Sequence, residues 1–168
     1  MRIRAVRPEE LTILQGIEVA TGEPFRTIGM IEIADDPPPA VEMLEEYRRA
    51  GRAWVAAGED DIPVAYLISR PVDGTEYIAQ VSVHPRMARR GIGRELIEHT
   101  AGHARAAGLA ALTLTTFVEV PWNARYYETL GFRQLDAAEL PPELRKIREQ
   151  EADVGLDRWP RTAMWRDL

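Results

Sequence analysis

YIAQVSVHPRMARRGIGRELIEHTAGHARAAGL, running from Tyr77 to Leu109, is the stretch that decides how this chain folds. Its opening, Ile78-Ala79-Gln80-Val81-Ser82-Val83, is apolar and rich in β-branched residues and reads as a strand. His84-Pro85 ends it, because proline has no N–H to give to a sheet ladder. Arg89-Arg90-Gly91-Ile92-Gly93-Arg94 forms a glycine loop, and Glu95-Leu96-Ile97 opens a helix that ends near Ala107-Gly108. Strand, glycine turn and helix in that order gather free backbone N–H groups and the positive end of a helix dipole at one place. Such a place suits an anion, most often a phosphate.

Glycines in a tight turn are mostly structural, so Gly91 and Gly93 alone say little. The charge around them says more. Arg86, Arg89, Arg90 and Arg94 crowd the loop without an acid among them, in a chain whose formal net charge is -6. A solvated basic turn is the alternative reading; an anion site is favoured. Spacing narrows the choice of anion. A dinucleotide fingerprint needs a third glycine where Leu96 stands, and a P-loop needs a Gly-Lys-Ser/Thr ending that is absent.

What the segment resembles is the acetyl-CoA-binding core of the GCN5-related N-acetyltransferases. Their loop reads Arg or Gln, two residues, Gly, one residue, then Gly or Ala, after a strand of the Val-x-Val-x-Pro type. Here those elements are Val81-Ser82-Val83-His84-Pro85 and Ala88-Arg89-Arg90-Gly91-Ile92-Gly93. The first loop position is Ala88 instead of Arg or Gln, which leaves the neighbouring arginines to supply its charge.

Outward from this core, 168 residues with 45% hydrophobic and 29% charged content describe one ordinary globular domain. The absence of cysteine excludes disulfides, thiolate metal sites and a cysteine nucleophile. MRIRAVRPEEL lacks the apolar centre of a signal peptide, and no apolar run is long enough for a membrane span, so a cytoplasmic protein is expected. The acidic balance argues against a nucleic-acid partner.

In chain order, Arg2–Val6 alternates as a half-buried strand would, and Pro8 suits a helix start. Leu11, Leu14, Ile17 and Val19 give that helix a stripe to about Thr21, and Gly22-Glu23-Pro24 is expected to break it. After an ambiguous stretch and the rigid Asp35-Asp36-Pro37-Pro38-Pro39, Val41, Leu44 and Tyr47 line a helix ending near Gly51. Ala53–Ala57 and Val64–Ile68 form a hairpin, and Val72-Asp73-Gly74 turns into the strand quoted first. Beyond the long helix come a strand at Ala111–Phe117 and a short helix closed by Gly131. A strand follows from Phe132, then an amphipathic helix over about residues 141–154, and a last strand at Thr162–Arg166. The fold expected is α/β, a mixed, mostly antiparallel sheet of six to seven strands flanked by helices. The resemblance makes it the acyl-CoA N-acyltransferase fold in a single domain over 1–168, with the helix near 141–154 as an addition.

A second resemblance covers Tyr126-Tyr127-Glu128-Thr129-Leu130-Gly131-Phe132, which is similar to the family's Tyr-x-x-x-Gly-Phe element. On that pattern Tyr127 is the acid that protonates the departing thiolate. A phenol with a pKa near 10 keeps its proton at pH 7 for that purpose. An aromatic packed against the sheet is the other account of Tyr127. Asn123 stands near the place of an asparagine that touches the pantetheine arm in many members, four residues from Tyr127 where many have seven; a helix N-cap accounts for it equally.

For the general base, Glu119 just past the strand Ala111–Phe117 is the candidate. His84 is an alternative by chemistry. His99 and His103 share a helix face, but no third ligand has metal-binding spacing, so no metal is expected. The resemblance implies backbone pairing of Val81, Ser82 and Val83 with pantetheine. It also implies pyrophosphate binding at Arg89, Arg90, Gly91, Ile92, Gly93 and Arg94. The expected activity is transfer of an acetyl group from acetyl-CoA to a primary amine by direct attack in a ternary complex. The acceptor is a small-molecule or peptide amine, and a homodimer is compatible with this reading. The rival is a CoA-binding sensor of the same fold with little or no turnover.

Overall fold

The computed structural model describes residues 1–168. In chain order the elements are β1 (Arg2–Ala5), α1 (Leu11–Arg26), α2 (Ile31–Ala34), α3 (Val41–Arg49), β2 (Ala53–Ala57), β3 (Pro63–Val72) and β4 (Thr75–Val83). They continue with α4 (Ile92–Ala106), β5 (Ala111–Phe117), α5 (Ala124–Thr129), β6 (Arg133–Leu135), α6 (Pro142–Asp153) and β7 (Arg161–Asp167). The seven strands are hydrogen-bonded in the order β1-β2-β3-β4-β5-β7-β6. β4 and β5 pair in parallel at Glu76↔Leu112 and Tyr77↔Thr113. The β1/β2, β2/β3, β5/β7 and β6/β7 pairs are antiparallel. This is the mixed, mostly antiparallel α/β sheet that the pattern of runs and turns predicts. No helix is long and apolar enough to cross a membrane.

Two compact units divide the chain. The first comprises Met1–Ser69 with Gln80–Thr100. Its strand β2 is apolar at every position and four of its five residues are buried, as a strand covered on both faces should be. α1 packs on α2 and α3, with Leu11, Leu14, Ile17 and Phe25 turned inward. Arg4, on β1, is an inward-facing charge held by Glu10 at 2.7 Å and Asp61 at 2.9 Å.

Two expectations change here. α1 does not break at Gly22-Glu23-Pro24 but runs to Arg26. Pro24 falls in the last turn: it withholds the N–H that would reach the Ala20 carbonyl, and α1 ends two residues later, at Arg26. α2 packs against α1 at Gly22, where a Cβ would lie in ordinary contact, 3.5 Å from the Ala34 carbonyl oxygen. Val19 is 47% exposed and lies off the stripe. Counting four residues on from Leu14 puts Glu18, not Val19, on the inner face.

The second unit comprises Arg70–Ala79 with Ala101–Leu168. Its core joins Val72, Tyr77, Leu135, Leu144, Ile147 and Ala163, so α6 covers the sheet through Leu144 and Ile147. The tip of the β3/β4 turn caps that helix: the Asp73 carboxylate accepts the backbone N–H groups of Glu143 and Leu144 at 3.0 and 2.9 Å. The Asp73 backbone N–H in return donates to the Glu143 carboxylate. An acid at a helix N-terminus meets both the free N–H groups and the dipole.

Candidate active site

In the first unit, β4 ends as expected at His84, whose Nδ1 accepts the Arg86 N–H at 3.2 Å and caps a single 3-10 turn over Pro85–Met87. That engagement spends the ring nitrogen on the turn, which speaks against His84 as a base. The chain then passes Arg89 at φ +62° and Gly91 at φ +77° before entering α4. The left-handed conformation at Gly91 is the one that glycine adopts freely, and a Cβ there would meet no atom within 4 Å, leaving the approach open.

α4 starts earlier than the expected Glu95. Ile92 is 3% exposed and anchors its first turn, so Ile92, Gly93 and Arg94 belong to the helix and not to the loop. The Glu95 N–H to Gly91 carbonyl bond is 3.0 Å, and the N–H groups of residues 92–94 precede it without an intrahelical acceptor. Arg86, Arg89, Arg90 and Arg94 are exposed around this terminus. An anion with several oxygens fits that donor set.

The same unit contains a cluster that sequence reasoning missed. Glu18 of α1 is half-buried, and its Oε2 accepts two hydroxyls, Ser82 Oγ at 2.6 Å and Tyr66 Oη at 2.8 Å. Gln80 Nε2 donates to Ser82 Oγ at 2.9 Å. Tyr66 and Ser82 are 0% and 1% exposed. Burial, and then the nearby Glu18 charge, push the Tyr66 phenol well above its ordinary value, so it is a fixed donor. The spacing of the α1 stripe was the signal that could have found Glu18. Ser82 was expected here for its backbone, and its side chain is what engages Glu18. Elsewhere in the unit, His99 packs edge-on against Trp54 with ring centroids 4.5 Å apart.

In the second unit, α5 carries Tyr127. Its ring meets Tyr126 at 5.4 Å and Phe132 at 5.9 Å, both edge-on. Its backbone carbonyl accepts the N–H groups of Leu130 and Phe132, and Gly131 at φ +93° closes the turn. The packing is thus made by the ring and the backbone, and no hydrogen bond ties the hydroxyl down. Burial, and to a lesser extent the neighbouring Tyr126, raise this phenol above its ordinary value.

Asn123 takes the N-cap position but its side chain makes no capping bond; its backbone carbonyl accepts the Tyr127 N–H at 3.1 Å. The capping account of its side chain therefore fails. Trp122 beside it is 39% exposed. Glu119 lies exposed on the bend after β5 and is not brought into contact with Tyr127 or Asn123.

A second carboxylate in this unit was also not foreseen. Glu151 of α6 accepts Thr115 Oγ1 at 2.7 Å and Arg161 Nη2 at 3.0 Å on one oxygen, and Arg148 Nη1 at 2.9 Å on the other. Tyr77 Oη lies 3.3 Å from Thr115 Oγ1. All of Glu151's charge is met inside the protein.

Comparison with known proteins bears on the family and the fold. The acetyltransferase (GNAT) family model matches residues 17–132, a stretch that includes β4, the arginine-rich turn and α5. The chain is similar in structure to the ribosomal-protein-S18-alanine N-acetyltransferase of Escherichia coli. The two share 17% identity over 99% of this chain and 92% of that one, with a TM-score of 0.69. Ard1 of Thermoplasma volcanium is 16% identical over 99% and 97% of the two chains, with a TM-score of 0.73. The PaiA N-acetyltransferase of Thermoplasma acidophilum, solved in complex with coenzyme A, is 11% identical over 99% and 98%, with a TM-score of 0.70. At these identities the likeness is one of fold.

Proposed function

This chain belongs to the acetyltransferase (GNAT) family, and from that membership we propose that it transfers an acetyl group from acetyl-CoA to a primary amine. The observation that carries the reading is the exposed, arginine-rich turn around Gly91, which opens α4 and falls inside the stretch matching the family. The whole chain, α6 included, is read as one N-acetyltransferase domain.

Bound acetyl-CoA would supply the activated thioester. Toward it, the backbone of Val81, Ser82 and Val83 pairs with the pantetheine arm as an added strand would. The N–H groups of Arg89 to Arg94, with Gly91 and Gly93 offering no side chain, hold the pyrophosphate. Arg89, Arg90 and Arg94 add the charge that Ala88 cannot. Asn123 reaches the arm with the side chain that its N-cap position leaves uncommitted. Tyr127 keeps its proton at neutral pH and gives it from Oη to the leaving sulfur. Glu119, exposed and unencumbered, carries the amine's proton away. The amine attacks directly, because the chain has no cysteine and Ser82 is bonded to a carboxylate and an amide, with no histidine between.

One pair of measurements tests this. Acetyl-CoA at a hundredfold excess over its dissociation constant should stabilise the fold by about 2.7 kcal/mol. Tyr127→Phe should keep that stabilisation and lower kcat by about 10²- to 10⁴-fold. No shift with millimolar acetyl-CoA removes the cofactor assignment, and near-normal turnover by the Phe variant removes Tyr127.

A further inference from the structure

Three other carboxylates drawn in from the surface meet arginines. Glu10 meets Arg4, Glu45 meets Arg48 and Arg49, and Glu151 meets Arg148 and Arg161. Glu18 differs from all three. Its partners are the neutral hydroxyls of Tyr66 and Ser82, both on Oε2, while Oε1 takes no bond from the protein. A carboxylate drawn half out of water and fixed by two short bonds, but given no counter-charge, is poised for an external cation. Its rigid support points the same way: Tyr66 is fully buried, and Ser82 is held in turn by Gln80 at 2.9 Å.

Ser82 also sits between Val81 and Val83, the residues assigned above to the pantetheine arm. Thr21, the next inward position of α1, donates to the Val83 carbonyl at 3.3 Å. The α1 face that carries Glu18 therefore borders the same few residues of β4, within one unit.

We propose that Glu18 is the acceptor's cation site: its carboxylate, fixed by Tyr66 and Ser82, binds the ammonium of the amine substrate. The proposal rests on the reading of the chain as an amine acetyltransferase and adds the residue that selects a charged acceptor over a neutral one. Tyr66 and Ser82 are positioning residues in this arrangement. Of these three side chains, Glu18 alone touches the amine.

The test is calorimetric titration of 1,4-diaminobutane and glycinamide into wild type, Glu18→Gln and Glu18→Asp, each with and without CoA. A parallel thermal shift with acetyl-CoA is run on all three. Glutamine keeps an oxygen for both hydroxyls and removes only the charge, so the variant should fold and show the wild-type acetyl-CoA shift. Its amine affinity should fall tenfold to a hundredfold, with partial recovery in Glu18→Asp. Equal amine binding by wild type and Glu18→Gln overturns the proposal, and so does failure of both amines to bind wild type. A missing acetyl-CoA shift in wild type instead defeats the acetyltransferase reading, and the CoA-free titrations still judge Glu18 separately.

Discussion

Glu18 and Glu151 are built from nearly the same parts and end in opposite electrostatic states. Each descends from a helix onto a strand, each accepts a short bond from a strand hydroxyl (Ser82 or Thr115), and each has a tyrosine beside it (Tyr66 or Tyr77). The difference is two guanidinium groups. Arg148 and Arg161, with side chains 16% and 9% exposed, neutralise Glu151 and leave it nothing to do but hold α6 to β5. Glu18 receives only dipoles and keeps its charge available. The contrast teaches that burial and hydrogen bonding alone do not mark a functional carboxylate. What marks it is a charge fixed in place and left unanswered by the protein.

The largest effect that can break this comparison is on stability. Glu151→Gln takes the largely buried Arg161 from its carboxylate and leaves Arg148 with Asp157 alone, and breaking a buried pair from one side costs about 3–5 kcal/mol. For a chain of this size that is roughly 6–20 °C in Tm. Glu18→Gln, which leaves no unpaired charge behind, should stay within about 1 kcal/mol of wild type. Denaturant melts of the two variants side by side decide the matter, and equal losses would mean the two clusters do the same job.

A smaller effect separates the two tyrosines. Tyr66 donates to a charged oxygen at 2.8 Å, whereas Tyr77 lies 3.3 Å from a neutral hydroxyl. Tyr66→Phe should therefore cost about 1.5–3 kcal/mol and Tyr77→Phe less than about 1 kcal/mol. A double-mutant cycle of Tyr66→Phe with Glu18→Gln should return a smaller sum than the single changes imply. Strict additivity would mean that Tyr66 does not act through Glu18.

The smallest effect is a titration. Burial first raises both phenols; for Tyr66 the Glu18 charge adds to it. A phenol whose folded pKa is raised contributes stability fully below the unfolded value near 10, and loses it as pH rises toward the folded value. Stability should thus decline above about pH 10. Absorbance at alkaline pH should show Tyr66 ionising earlier in Glu18→Gln than in wild type, with Tyr77 unmoved. An unchanged Tyr66 transition would place the Glu18 charge elsewhere.

Much of this was legible beforehand because it is local. The turn at Val72-Asp73-Gly74, the proline stop after Val83 and the glycine end of α5 depend on neighbours a few residues apart, and period and turn chemistry report such things directly. The arginine-rich turn was legible for the same reason, since its arginines and glycines are contiguous in the chain. α1 departs from expectation at Val19 and Pro24 because its inner face follows the stricter helical count through Glu18, and because the proline precedes the helix end at Arg26 by two residues instead of setting it.

The sequence by itself determined the order of strands and helices, the family and the place of the arginine-rich turn, because each depends on runs of adjacent residues. Only the tertiary structure decided which carboxylates are neutralised. Glu18 meets Ser82 across 64 positions, Thr115 meets Glu151 across 36, and Asp73 caps a helix 70 positions away. No composition or period encodes those meetings. They arise when burial brings distant segments together, and the protein interior then makes every charge depend on the partner it finds there.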